Sequence, residues 1–213
     1  MRTYMGLERD LAHTIRRLYD RGLVSGVGGN ASIILPDRNV ILITPSGFFK
    51  GGVAEGDIVK VSIDGEIKGT GLPSTELATH LTVYRVREDV NAVVHAHPPT
   101  AVGLVTVGIQ IPIMTPEQAV LIRKTDVVDF AAPGQEGARA IRRSLEHCDL
   151  VGIKNHGFFS LGPDLHTAAS RLEVIEESAK IFEIALRFGK AEGLNVNDIS
   201  KIRKQYDRAR NTR

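Results

Sequence analysis

Leu7, Leu11, Ile15 and Leu18 recur at spacings of four, four and three, which is one face of a helix. Gly22 is placed to stop that helix. SGVGGNAS then breaks the pattern as a loop, and the apolar runs shorten. ASIIL and NVILIT read as two strands joined through Pro36, Asp37 and Arg38. DIVKVSI and EIKG read as a second pair, with Asp64-Gly65 at the turn.

Helical and extended periods alternate from there on. Pro73 and Ser74 open a helix with Leu77, Leu81 and Tyr84 on one side. NAVVHAH is a strand, ended by Pro98 and Pro99, which also start the next helix. TDVVDF is a strand. GQEGARAIRRSLEHC is a helix with Ala138, Ile141, Leu145 and Cys148 inward. DLVGIKN and GFFSLG are strands with a break near His156. A long helix over residues 165–188 carries Leu172, Ile175, Ala179 and Phe182 as its stripe, and a short one over 198–208 follows. Strands paired by tight turns imply antiparallel neighbours, and the helices between them imply covered sheet faces. The pattern predicts a mixed α/β layered fold rather than a simple βαβ alternation.

The 213 residues suffice for one substantial core, and the sequence has no repeat, low-complexity tract or linker, so residues 1–213 read as a single domain. The apolar share of 42% and charged share of 24% are ordinary globular usage. A net charge of +2 argues against a general nucleic-acid binder, and the basic end, KIRKQYDRARNTR, reads as a solvated helix face. Cys148 is the lone cysteine, so no disulfide forms within the chain, and it reads as a packed thiol. No run approaches the ~18 apolar residues of a membrane span, and no charged-then-apolar leader opens the sequence. The expectation is a cytoplasmic protein with no membrane partner.

VVHAHPPT adds chemistry to this frame. Residues i and i+2 of a strand share a face, so His95 and His97 project together with Ala96 opposite. Their Cα atoms would lie about 6.5 Å apart, and two such imidazoles can converge on one metal ion. His156, closing DLVGIKNHG, is the candidate third ligand if the two strands are neighbours. Three histidines leave a coordination position open, the mark of a catalytic site. The plainer alternative is polar residues at strand ends, and the pattern alone leaves both open. His13, His80, His147 and His166 lie on helical stretches without that geometry and read as surface or capping residues.

Three small-residue segments could grip an anion. GLPSTELATH puts Ser74, Thr75 and Glu76 at a helix start, where free N–H groups favour a phosphate, although an ordinary N-cap has the same look. GGNAS and TPSG add two loops that could complete a nest. Neither a GxxxxGK[ST] loop nor a GxGxxG after a strand is present.

The ordered set GNAS, ITPSG, LPSTE, AVVHAHPP and KNHG resembles the class II aldolase/adducin family, from about Gly22 to Glu183. The resemblance implies a three-layer α/β/α fold around a central, largely antiparallel sheet. It implies Zn2+ held by His95, His97 and His156, with Mn2+ or Co2+ as substitutes. Glu76 is then the acid/base and ligates the metal when substrate is absent. Gly29, Asn30, Thr44, Gly47, Ser74 and Thr75 are implied to bind the substrate phosphate. The reaction implied is cleavage of a ketose 1-phosphate to dihydroxyacetone phosphate and a small aldehyde, in a homotetramer with sites at subunit boundaries. Methylthioribulose-phosphate dehydratases, pentulose-phosphate 4-epimerases and decarboxylases share the scaffold, as do non-catalytic adducin-like binding modules. Glu76 leans against the epimerase, which would have aspartate there. Family aldolases place tyrosines at the site. MTPEQAV, after Ile113, has none, which leaves Tyr206 in the tail as the candidate.

Overall fold

The computed structural model of the protein describes residues 4–211. Helix α1 (Tyr4–Asp20) leads into strands β1 (Asn30–Ile34), β2 (Val40–Ile43) and β3 (Val59–Ser62). Helix α2 (Leu77–Val86), strand β4 (Ala92–Ala96) and helices α3 (Pro99–Thr106) and α4 (Pro116–Leu121) follow. Then come β5 (Thr125–Val128), α5 (Gln135–Leu145), β6 (Leu150–Ile153), β7 (Gly157–Gly162), α6 (Leu165–Phe188) and α7 (Val196–Asn211). One seven-stranded sheet has the order β3-β2-β1-β4-β7-β6-β5. Every pairing is antiparallel except β5 with β6.

Strand alternation sorts side chains onto two faces. Ala31, Ala92, Val94, Ala96 and Phe158 pack with Leu11, Ile15, Leu172 and Ile175 of α1 and α6. Val93, Phe159 and Leu161 pack with Leu81, Tyr84, Ile141 and Leu145 of α2 and α5. The sheet therefore lies between two helical layers, as the family resemblance implies. The predicted stripes Ala138, Ile141, Leu145, Cys148 and Leu172, Ile175, Ala179, Phe182 are all buried.

Three local readings differ. EIKG does not form a ladder: only Val61 and Ile67 make an isolated bridge, while the turn forms through Gly65 N–H to Ser62 O at 2.9 Å. Helix α2 starts at Leu77 rather than Pro73, because Pro73 is bridged to Pro45 and Ser74 N–H donates to Thr44 O at 3.2 Å. That bond and the one from Ser46 N–H to Leu72 O at 2.8 Å make the bridge and hold the PSTE and TPSG segments side by side. Helix α4 has no sequence expectation behind it. It is capped by Thr115, whose hydroxyl accepts from Gln118 N, with Pro116 at its first turn.

No helix among the described residues is long and apolar enough to cross a membrane.

Candidate metal centre

β4 is the central strand, paired to β1 at Asn30↔His95 and to β7 at His95↔Phe159. His95 and Val93 share a face, so the His95 ring points at the α2 layer and not at α6. His97 lies just beyond the strand, where its backbone N–H donates to Leu23 O at 2.8 Å. His156 sits in the three-residue turn between β6 and β7, after Asn155 at φ 57°. Asparagine tolerates that left-handed conformation better than most residues. Gly157 follows, and a Cβ there would lie 2.5 Å from Ala96 O and 2.6 Å from the His97 ring. Only glycine lets β7 pass this close beneath the two histidines.

The three predicted ligands therefore meet. One ring nitrogen from each of His95, His97 and His156 falls within 4.8 Å of the others. His97 Nε2 lies 3.0 Å from His95 Nε2. Glu76 enters from the foot of α2, with Oε2 3.1 Å from His95 Nε2 and Oε1 3.5 Å from His156 Nε2.

The donor set suits a divalent cation. His95 Nδ1 donates to Phe158 O at 3.1 Å, which fixes the tautomer and leaves the Nε2 lone pair facing the cluster. Burial holds the His95 pKa well below its ordinary value, and the neighbouring His97 and His156 push it further down. His97 is lowered to about 4 by burial and then by His156, and His156 is lowered by burial. The imidazoles are thus neutral at physiological pH, the form that ligates. At 3.0 Å the His97 and His95 Nε2 atoms share either a proton or a cation. Three nitrogens with one adjacent carboxylate make a set typical of zinc and open to other first-row metals.

Glu76 is itself perturbed. It is 5% exposed, and burial pushes its pKa up to about 7 against the downward pull of the Asn30 amide. Behind it runs a buried chain. Asn30 Nδ2 donates to Glu76 Oε2 at 2.8 Å, and Asn30 Oδ1 faces His80 Nε2 at 2.6 Å. His80 Nδ1 is 2.6 Å from Ser32 Oγ, which is 2.8 Å from Tyr84 Oη. His80 is fully buried and not the surface or capping histidine expected from its place on a helix. The signal was available: Glu76, His80 and Tyr84 are spaced at i, i+4 and i+8, one helix face, and Asn30 and Ser32 at i, i+2 supply the opposing strand face.

A cavity of about 180 Å³ opens beside the cluster. Gly29, Asn30, Gly47, Ser74 and Thr75, all expected at an anion site, line it together with Glu76, His97 and His156. Thr44 is not on the lining, and its hydroxyl oxygen accepts from Ala31 N–H at 3.1 Å inside the sheet, while Ser46 lines the cavity. The Asn30 side chain, on that lining, also holds the Glu76 carboxylate through Nδ2 and faces His80 through Oδ1. Tyr206 is not brought to the cavity within the chain. It is 48% exposed and lines a separate groove of about 560 Å³ between α4, α6 and α7. Lys50, which no spacing singled out, also lines the site cavity.

The family model described as class II aldolase and adducin N-terminal domain matches residues 9–182. An L-fuculose phosphate aldolase of Methanocaldococcus jannaschii is 37% identical over 166 residues, 78% of this chain and 90% of its own. A 3-oxo-tetronate 4-phosphate decarboxylase of Haemophilus influenzae is 31% identical over 176 residues, 78% of this chain and 82% of its own. A solved L-fuculose 1-phosphate aldolase superposes with a TM-score of 0.87 over 97% of this chain and 98% of that one, at 28% identity.

Proposed function

The chain belongs to the class II aldolase and adducin family, and we propose that it is a metal-dependent aldolase cleaving a ketose 1-phosphate of the L-fuculose 1-phosphate type to dihydroxyacetone phosphate and a small aldehyde. The observation that carries this reading is Glu76 placed between two imidazoles, 3.1 Å from His95 Nε2 and 3.5 Å from His156 Nε2, at the floor of an open cavity. His95, His97 and His156 would hold the cation, Zn2+ by preference. When bound it would act as a Lewis acid, drawing electron density from the substrate carbonyl.

The protein's own groups do the rest. Cleavage leaves negative charge on the carbon beside the carbonyl, and that carbon needs a proton. Glu76, with a pKa raised to about 7, is poised to carry one in either direction. Asn30 holds the Oε2 oxygen by a 2.8 Å hydrogen bond, so the proton is exchanged from a fixed position. Ser46, Gly47, Ser74 and Thr75 would bind the phosphate and turn its binding energy into orientation at the reacting carbons. Val27, at the cavity, and Phe48 and Leu72, beside the loop segments, are exposed apolar side chains. A neighbouring subunit would cover such a rim, which fits a homotetramer with sites at its boundaries.

A second reading is decarboxylation of a 3-oxo acid phosphate, favoured by the decarboxylase relative at 31% identity. It too leaves negative charge beside a carbonyl and would use the same groups. The test is to strip the protein of metal and refill it with Zn2+, Mn2+ or Co2+. It is then incubated with a panel of ketose 1- and 5-phosphates and a 3-oxo acid phosphate, and the products are identified. Dihydroxyacetone phosphate with an aldehyde supports the aldolase. Carbon dioxide from the oxo acid alone transfers the chain to the second reading. Neither product, with no stoichiometric metal, leaves a binding module.

A further inference from the structure

Lys50 is 2% exposed, although lysine is among the residues least often buried. Its Nζ donates to Pro45 O at 2.9 Å, and among the described residues no carboxylate is paired with it. A buried ammonium needs an anion or a full set of acceptors, because desolvation of the charge is costly. One carbonyl supplies neither. The backbone of Lys50 is fixed by its N–H bond to Gly26 O at 2.8 Å, which anchors it between the two glycine loops. Lys50 lines the same cavity as Gly28, Ser46, Ser74 and Thr75, and its Nζ is held at the carbonyl of Pro45, next to Ser46 in the chain. Ser46, Ser74 and Thr75 bring hydroxyls to that lining, and Lys50 is the sole ammonium on it.

We propose that Lys50 is the charged member of the anion subsite, pairing with the phosphate of the substrate and selecting phosphorylated over unphosphorylated ketoses. The inference rests on the reading of the chain as an enzyme of sugar phosphates and adds a residue to it. Burial alone lowers the pKa of the Lys50 ammonium, and a phosphate dianion beside it restores the charged form. The hydroxyls of Ser74 and Thr75 orient the phosphate, and the buried charge gives the affinity, since a charge-assisted hydrogen bond is roughly twice as strong as a neutral one.

The test uses inorganic phosphate as the probe and needs no turnover. Phosphate affinity is measured by calorimetry for the wild type and for Lys50→Met, which keeps the volume and removes the charge. A loss of about 10- to 100-fold is expected. Equal affinity in the two proteins overturns the proposal and leaves Lys50 as a strut for Pro45. Thermal melting checks that Lys50→Met folds. If it does not, the wild type decides: added phosphate must shift the NMR signal of the Lys50 ε-carbon, and an unmoved signal overturns the proposal. The kinetic counterpart is the ratio of kcat/KM for a phosphorylated ketose to that for its unphosphorylated form, which should fall by the same factor, chiefly through KM. The outcomes separate cleanly. Lys50-dependent phosphate binding without aldol or decarboxylation products sinks the reaction and keeps the subsite. Turnover with an unchanged KM in Lys50→Met sinks the subsite and keeps the reaction.

Discussion

His80 Nε2 lies 2.6 Å from Asn30 Oδ1, and this contact sets the direction of every hydrogen bond behind the carboxylate. Ionised Glu76 only accepts, so Asn30 must present its NH2 to Oε2 and its carbonyl to His80. His80 must then carry its proton on Nε2, leaving Nδ1 to accept from Ser32. Ser32 in turn accepts from Tyr84. No member can turn round without stranding a buried neighbour, which costs about 1–3 kcal/mol.

Glu76→Gln tests the acid/base role. The amide keeps the shape and can still accept from Asn30, while the three imidazoles are untouched. Turnover should fall about 10²- to 10⁴-fold, with metal content by elemental analysis unchanged. Wild-type kcat in this variant would remove Glu76 from the mechanism.

Metal removal tests the histidine cluster. Chelation should lower the melting temperature and Zn2+ should restore it, since a ligand at 100 times its Kd stabilises by about 2.7 kcal/mol. His95→Ala should abolish the response in calorimetry. An equal zinc-dependent rise in the variant would place the cation elsewhere.

Gly157→Ala tests the close passage of β7. Its new Cβ would lie 2.5 Å from Ala96 O, a backbone atom that cannot move freely. Overpacking of this kind costs about 1–3 kcal/mol, and the shift should reach His95 and His97. Urea unfolding should show the lost stability and elemental analysis the lost metal. A variant with both unchanged would show that the sheet yields there.

His80 predicts a pH dependence. Burial lowers its pKa from 6.5 to about 3 in the folded state. Between those values the unfolded chain binds a proton that the folded chain refuses. Stability is therefore full above about 6.5 and falls as the pH drops below it, by up to about 1.4 kcal/mol per pH unit for this one group. Comparing urea midpoints of the metal-free wild type and His80→Gln from pH 7.5 to 5 isolates the effect. Parallel curves for the two proteins would contradict it.

Much of the site is visible in the sequence because strand geometry is local. His95 and His97 had to share a face, and a histidine closing a second apolar strand was a sound third partner. Glu76 came from the resemblance, since its helix start alone fits an ordinary cap. What escaped depends on pairing across the sheet. Thr44 looks like a free hydroxyl in TPSG, yet the β1–β2 register puts Ala31 N–H against it. His80 and Lys50 are polar in type and buried by tertiary contact, which periodicity cannot show. EIKG has strand character but only a bridge forms, and α4 is too short for a clear helical period.

The sheet order has a kinetic consequence. Asn30, His95 and His156 come from or adjoin three laterally adjacent strands, β1, β4 and β7. They are far apart along the chain, so each must wait for slow, long-range closure before it has neighbours. A growing polypeptide cannot bring His156 to His95 and His97 until the β6–β7 hairpin has emerged and docked. A cation held by all three would therefore be acquired only after that step.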